Sequence, residues 1–265
     1  MLKDITLGQY FPGDTVVHRL DPRTKLLLVV IYIVGLFNAV GWASYAFVIL
    51  VTAMSMAISK IKPKSALKGL KPVIIIIILT AVLNIFYTGG TPIIEGWIIT
   101  WEGIERAVMM SLRIILLIVG TFMLTYTTSP IALTDGLEIM MGPLKKIKIP
   151  VHEMSMMMSM ALRFIPTLIE ETDKIMSAQK ARGADFDSGN LFQRAKALLP
   201  ILVPLFVSAF RRADELAVAM ESRCYHGGKG RTRMKQLRMQ GIDAWALLLG
   251  AVFLAAVFVM KHFGL

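Results

Sequence analysis

The longest charge-free run of the chain extends from Leu26 to Ser59, and it constrains the fold more than any other feature. A helix needs about 20 apolar residues to cross a hydrocarbon core of about 30 Å, so this run is too long for one crossing. An asparagine and a glycine near its middle, in "NAVGWAS", are typical of a tight turn. The run therefore predicts two short transmembrane helices, at about 26–40 and 43–59.

Three further apolar segments have the length of a membrane span, at about 72–94, 107–127 and 244–260. Arg113 is the only charged residue within them. The composition agrees, because 55% of the chain is hydrophobic and its mean hydropathy is +0.64, whereas soluble domains use about 45–50% apolar residues. We therefore predict an all-α, multi-pass integral membrane protein with about five transmembrane helices.

The charges orient these spans. Lysines crowd the loop that follows the second span, at Lys60, Lys62, Lys64, Lys68 and Lys71. The loop after the third span carries three glutamates and one arginine instead. Because cytoplasmic loops are enriched in Lys and Arg, we expect the N-terminus in the cytoplasm and the C-terminus outside. Topology then accounts for most of the net charge of +11, and nucleic acid is not needed to explain it.

The sequence divides into an N-terminal membrane part at 1–127, a cytoplasmic region at 128–243 and a last span at 244–265. The cytoplasmic region holds two short apolar segments that are interrupted by prolines, and each continues into a more polar stretch. Short runs of this kind more often lie at an interface than cross the membrane, although two further crossings would give seven spans with the same termini. We expect two long helices here, at about 151–181 and 191–223.

Both of these helices end in an arginine that follows a small residue, at Arg182 and Arg223. An arginine in the last turn interacts favourably with free carbonyls and with the negative end of the helix dipole. That interpretation explains either residue alone, but it explains the pair less well. The alternative is that both guanidinium groups dock into a partner, which a planar fork does more specifically than lysine.

Several segments, in order along nearly the whole chain, resemble the transmembrane (T) component of energy-coupling factor (ECF) transporters. They are "GQYFPGDTVVHRLDPRTKLLL", "TTSPIALTDGLEIMMGPLKKIKIP", "ALRFIPTLIEETDKIMSAQKARGADF" and "ESRCY". The resemblance implies two long coupling helices that transmit the motion of two ATPase subunits to a membrane-embedded substrate-binding S component. The implied function is uptake of a vitamin or metal ion.

The resemblance also implies which residues bind the ATPases. In the family each coupling helix ends in an Ala-Arg-Gly-type motif that inserts into a groove on one ATPase. Ala181, Arg182 and Gly183 match the motif fully, and Ser222, Arg223 and Cys224 match it with two substitutions. A cysteine in place of glycine resists the positive φ that such a helix end favours.

A methionine cluster marks a second candidate site, at Met154, Met156, Met157, Met158 and Met160. Ordinary packing would explain these residues, but unbranched methionines also form surfaces that adapt to different partners. The resemblance favours an S-component platform.

The sequence predicts no catalytic or metal site. "GGKGRT" at 227–232 lacks the spacing of a Walker A motif, so the chain is expected to bind no cofactor, and ATP with Mg to bind in partner ATPases. "HEMSM" from His152 lacks the second histidine of a zinc-protease helix.

Rival interpretations remain open at this point. Arg113 is either a functional intramembrane charge or a structural one that pairs with another helix. A permease that binds its solute directly, or an intramembrane enzyme, would need polar residues converging within the spans. The segment from Asp21 to Lys25 is expected to be an entry segment with cationic interface anchors.

Overall fold

A computed structural model describes residues 10–92, 99–186, 190–227 and 237–264. Within these ranges the chain is helical, and its only extended pairing is an isolated antiparallel bridge between Pro92 and Thr100. The predicted all-α class is confirmed. The helices are α1 (Val16–Arg19), α2 (Pro22–Asn38), α3 (Trp42–Ser59), α4 (Pro63–Leu70), α5 (Ile74–Tyr87), α6 (Trp101–Thr127), α7 (Pro130–Met140), α8 (Val151–Ala181), α9 (Leu191–Ala197), α10 (Leu199–Glu221) and α11 (Gly241–His262).

Four helical segments of the described chain are long and apolar enough to cross a membrane: Trp42–Ser59, Pro63–Tyr87, Trp101–Thr127 and Gly241–His262. The first predicted span is also a helix, α2, with 17 residues. All five predicted spans therefore coincide with helices of the described chain.

The ends of two spans differ from the prediction. Helix α5 ends at Tyr87, seven residues before the predicted end, because two glycines and Pro92 follow. Helix α6 begins at Trp101 instead of 107. Its first turn falls within the predicted loop, and Thr100 caps this turn by accepting a hydrogen bond from the amide of Gly103.

The chain divides into two compact units, and the first comprises the described residues of 8–136 and 237–265. Its core is a cluster around Leu36, Tyr45, Val48, Phe253 and Val257, where α2 packs against α6 and α11. Gly35 permits this packing, since a Cβ atom there would lie 2.6 Å from the Phe253 ring.

A buried polar cluster joins the start of α2 to the neighbouring helix ends in this unit. Lys25 is only 5% exposed, and its Nζ donates to the carbonyl oxygens of Thr127 (2.8 Å) and His18 (3.2 Å). The Asp21 amide donates to Asp243 Oδ1 at 2.8 Å. The expected role of Lys25 as an interface anchor is therefore wrong, because the ammonium group satisfies carbonyls at the end of α6 and the end of α1.

The second unit comprises the described residues of 137–236 and contains the two long helices. Helix α8 has the predicted bounds of 151–181. The predicted helix at 191–223 is instead two consecutive helices, α9 and α10, divided at Leu198. Pro200 has no N–H to continue the hydrogen-bond ladder, which explains the division. The segment 228–232 of the predicted basic linker lies outside the described residues.

Candidate functional site

The first arginine motif ends α8 in a complete Schellman motif. Gly183 has a φ of 89° and its amide donates to the Lys180 carbonyl at 3.0 Å. The Ala184 amide donates to the Gln179 carbonyl, also at 3.0 Å. These two bonds are the 5→2 and 6→1 pair that defines the motif. Arg182 is the C-cap residue, with φ −84° and ψ 3°.

The second motif ends α10 with the same backbone geometry. The Cys224 amide donates to the Glu221 carbonyl at 2.9 Å, and the Tyr225 amide donates to the Met220 carbonyl at 3.1 Å. Cys224 has a φ of 56°, so it adopts the left-handed conformation of Gly183 although it carries a Cβ atom. By these bonds Arg223 occupies the same position as Arg182, which the sequence alignment of the two motifs predicted.

The guanidinium groups of Arg182 and Arg223 take no part in the hydrogen bonds of the two helix caps. Both arginines are exposed, and neither side chain has a hydrogen-bond or ion-pair partner among the described residues. Backbone amides already satisfy two carbonyls near each helix end, those of Gln179 and Lys180 in α8 and those of Met220 and Glu221 in α10. Among the described residues the two arginine side chains make no capping hydrogen bond, so their guanidinium groups are accessible to a partner.

Contacts between α8 and α10 show that the two motifs lie at opposite ends of this helix pair. Arg212 Nη2 lies 2.8 Å from Glu171 Oε2, and Gln179 Nε2 donates to the Pro200 carbonyl at 3.4 Å. Residues further along α8 thus contact residues earlier in α10, so the helices run antiparallel. Glu171 and Arg212 each precede the motif arginine of their own helix by about 16 Å at 1.5 Å per residue, which places the arginines on the order of 30 Å apart.

The Glu171–Arg212 pair also stabilises this crossing. A hydrogen bond from Ser208, together with the charge of the Arg212 guanidinium, holds the pKa of Glu171 below its usual value. The carboxylate is therefore ionised at neutral pH and keeps the ion pair intact.

The methionine cluster lies on α8 and is partly accessible. Met154, Met157 and Met158 are exposed at i, i+3 and i+4, whereas Met156 and Met160 are half-buried. This spacing places the exposed three on one face of the helix.

An apolar stripe on α10 was not among the predicted site residues. Val203, Phe206, Val207 and Phe210 are each more than half exposed. They recur at i, i+3, i+4 and i+7, the spacing that places side chains on one helical face and the signal by which the sequence could have revealed them.

Arg113 has a structural environment. Its Nη2 donates to the Ala39 carbonyl at the end of α2 (3.2 Å), and its guanidinium lies 5.9 Å from the Phe37 ring centroid and 5.8 Å from that of Tyr45. The partner is thus a helix C-terminus and two aromatic rings. This arrangement supports the structural interpretation of Arg113.

His152, which begins the zinc-protease-like "HEMSM", pairs with a carboxylate. Its Nδ1 lies 3.1 Å from Glu138 Oε1, and Glu138 is buried. This contact joins α7 to the start of α8.

This architecture is that of a helical, multi-pass membrane protein, and the comparisons with known proteins agree with it. The family model described as Cobalt transport protein (CbiQ) matches residues 13–235. The energy-coupling factor transporter transmembrane protein EcfT of Clostridium kluyveri is 56% identical over 256 residues, which cover 95% of each chain. Proteins of the same name are similar in Ruminiclostridium cellulolyticum (52% over 265 residues, 99% of each chain) and Bacillus subtilis (47% over 264 residues, 98% of this chain and 100% of the relative).

The chain belongs to the family of transmembrane components of energy-coupling factor transporters, as its sequence motifs predicted. Its role is energy coupling within a transporter that contains other subunits. A component of this kind is a membrane part of a transporter and not a catalytic enzyme.

Proposed function

We propose that this chain receives the ATP-driven motion of two ATPase subunits at Arg182 and Arg223 and transmits it to a membrane-embedded substrate-binding subunit. The observation that carries the proposal is the identical cap at the ends of α8 and α10. Each cap holds an arginine in a fixed position, satisfies the helix carbonyls without it, and leaves the guanidinium exposed.

The separation of the two arginines suits a pair of ATPase subunits. At opposite ends of an antiparallel helix pair, on the order of 30 Å apart, each motif can occupy a groove on a different subunit. The Glu171–Arg212 ion pair at the crossing would keep that spacing fixed while the ATPases move. Motion at either end is then transmitted through both helices.

The apolar faces of α8 and α10 are the proposed contacts for the substrate-binding subunit. Met154, Met157 and Met158 supply the adaptable part, and the α10 stripe at Val203–Phe210 supplies a larger apolar surface. Met156 and Met160 belong to the same segment and support the exposed three. Replacing all five methionines by leucine should weaken binding of at least one substrate-binding subunit; unchanged binding of every such subunit would remove the methionines from the site.

Nucleotide binding, membrane orientation and substrate choice follow from the same role. ATP and Mg bind in the partner ATPases, and this chain holds no cofactor of its own. The lysine-rich α3–α4 connection supports a cytoplasmic N-terminus and a C-terminus outside. The transported substrate is a vitamin or a metal ion chosen by the substrate-binding subunit.

The test is charge reversal at both motif arginines, Arg182→Glu with Arg223→Glu. We expect the variant to lose ATPase copurification and ATP-driven uptake, because each charge-assisted hydrogen bond is worth about 1.5–3 kcal/mol. The matched control is Lys180→Glu with Arg211→Glu, which makes the same charge change at exposed positions of α8 and α10. Full association and uptake in the motif variant would refute the proposal, as would equal losses in the control.

A further inference from the structure

We propose that a cavity beside the α3–α4 junction binds an anionic phospholipid, with the phosphate at Lys60 and Lys62 and acyl carbons against the apolar wall. The cavity measures about 680 Å³ and lies between the segment from Phe11 to Val16 and the junction from Ile58 to Ser65. Its volume falls within the range of about 300–1,000 Å³ that is usual for small-molecule sites.

The apolar wall of this cavity is held in place by α6 and by a local hydrogen-bond chain. The Phe11 amide donates to the Tyr126 carbonyl at 3.0 Å, and the two rings lie 5.4 Å apart. His18 Nε2 lies 3.0 Å from the Phe11 carbonyl, while its Nδ1 lies 2.7 Å from Thr15 Oγ1. Because a carbonyl oxygen can only accept, His18 Nε2 donates this hydrogen bond. The wall is therefore preformed.

The charged rim of the cavity favours an anion. Lys60 and Lys62 line it, are exposed, and have no carboxylate partner among the described residues. Asp14 is the only acidic side chain among the described residues of the lining. Two ammonium groups against one carboxylate leave an excess of positive charge at the mouth.

The backbone of Lys60 is a second, independent sign that its side chain is used. Its φ is 54°, and the bonds Lys60 N–Ala57 O (3.1 Å) and Ile61 N–Met56 O (3.3 Å) form a Schellman motif. Glycine is the residue usually found at this left-handed position. Strained non-glycine residues of this kind cluster at binding sites, and Lys60 lies on the rim of a cavity.

The lysines of α4 support a position of the cavity at the membrane surface. Ala66 and Leu70 are buried on the side of α4 that contacts α6, whereas Lys64 and Lys68 are exposed. Long cationic side chains near the end of a transmembrane helix extend to the level of the headgroups, and α4 begins the candidate span Pro63–Tyr87. The lysine-rich end of the spans is the end expected at the cytoplasmic leaflet, where anionic lipids are concentrated.

The experiment is a lipid titration of the full chain in neutral phosphatidylcholine nanodiscs, with phosphatidylglycerol binding read out by native mass spectrometry and by the unfolding temperature. Lys60→Gly should weaken phosphatidylglycerol binding roughly fivefold, the equivalent of the about 1 kcal/mol that a membrane-adjacent lysine contributes. Its unfolding temperature in phosphatidylcholine alone should equal or exceed that of the unaltered chain, because glycine relieves the positive φ.

Lys148→Gly is the matched control. Lys148 is also an exposed lysine with a positive φ, 61°, but it does not line the cavity. This variant should relieve the same backbone strain and leave lipid binding unchanged. Equal weakening by both variants would show a non-specific charge effect and overturn the proposal.

Two further arms test the ligand chemistry. Asp14→Asn should strengthen phosphatidylglycerol binding, because it removes a negative charge from the lining. Soluble glycerol phosphate should not raise the unfolding temperature. Equal binding of phosphatidylglycerol and phosphatidylcholine would exclude an anion site, and stabilisation by glycerol phosphate equal to that by the lipid would show that the acyl wall is not used.

Discussion

Replacing Cys224 by glycine should strengthen the end of α10, and the size of the effect follows from the backbone. Cys224 has a φ of 56°, and a left-handed conformation costs a residue with a Cβ atom roughly 1–2 kcal/mol. Glycine removes that cost but loses about 0.4–1 kcal/mol through the greater freedom of the unfolded chain. The Cys224 side chain is exposed, so little packing is lost. The net gain is about 0.5–1 kcal/mol, roughly a two- to fivefold change in an opening equilibrium.

Hydrogen exchange of the cap amides measures this change directly. The amides of residue 224 and Tyr225 donate to the Glu221 and Met220 carbonyls, so they exchange only when the helix end opens. In Cys224→Gly they should exchange roughly two- to fivefold more slowly, while amides in the middle of α10 stay unchanged. Gly183→Cys makes the reciprocal change on α8 and should speed exchange at Ala184.

The result that refutes this reasoning is unchanged or faster exchange at the Tyr225 amide in Cys224→Gly. It would mean that the left-handed cysteine is not the strained element of the α10 cap. Transport should be unaffected by the substitution, because Arg223 keeps its position.

Three other substitutions test contacts within each of the two units. Arg113→Met should lower stability by about 1 kcal/mol through the lost hydrogen bond while leaving uptake per folded molecule intact; abolished uptake with unchanged thermal stability would instead mark Arg113 as a transport residue. Asp243→Asn should cost about 1.5–3 kcal/mol, because its two carboxylate oxygens accept the backbone amides of Asp21 and Gln240; a thermal unfolding temperature equal to that of the unaltered chain would contradict this. Glu171→Gln should destabilise the helix crossing by up to about 1 kcal/mol at neutral pH. Because the pKa of Glu171 is depressed, its contribution to stability is present at neutral pH and is lost as the pH falls through that pKa. If the unaltered chain stays more stable than Glu171→Gln at acidic pH, the ion pair is not the cause of the difference.

The elements that the sequence predicted best are those set by local pattern. The bounds of α8 follow from an apolar and polar run between Pro150 and Gly183, each of which marks a helix end. The equivalent positions of Arg182 and Arg223 could also be predicted, because both motifs stand at helix ends that are visible in the sequence itself.

Three features escaped prediction, and only the first depends on contacts between distant parts of the chain. A lysine before an apolar run is ordinarily an interface anchor, and Lys25 has its carbonyl partners only because α2 meets the ends of α1 and α6. The left-handed φ of Cys224 runs against the preference of a residue with a Cβ atom. The exposed stripe on α10 did have a sequence signal at Val203–Phe210, but the prolines in that segment obscured its helical spacing.

The central claim is that ATPase subunits cover the ends of α8 and α10, and the thiol of Cys224 tests it most directly. Cys224 is the only cysteine of the chain, is exposed, and adjoins Arg223. The measurement is the rate at which a maleimide labels the chain in membranes, alone and with the ATPase subunits bound. Cys224 should be strongly protected in the assembled transporter, and this protection should be lost in Arg182→Glu with Arg223→Glu. Labelling at the same rate with and without the ATPase subunits would contradict it.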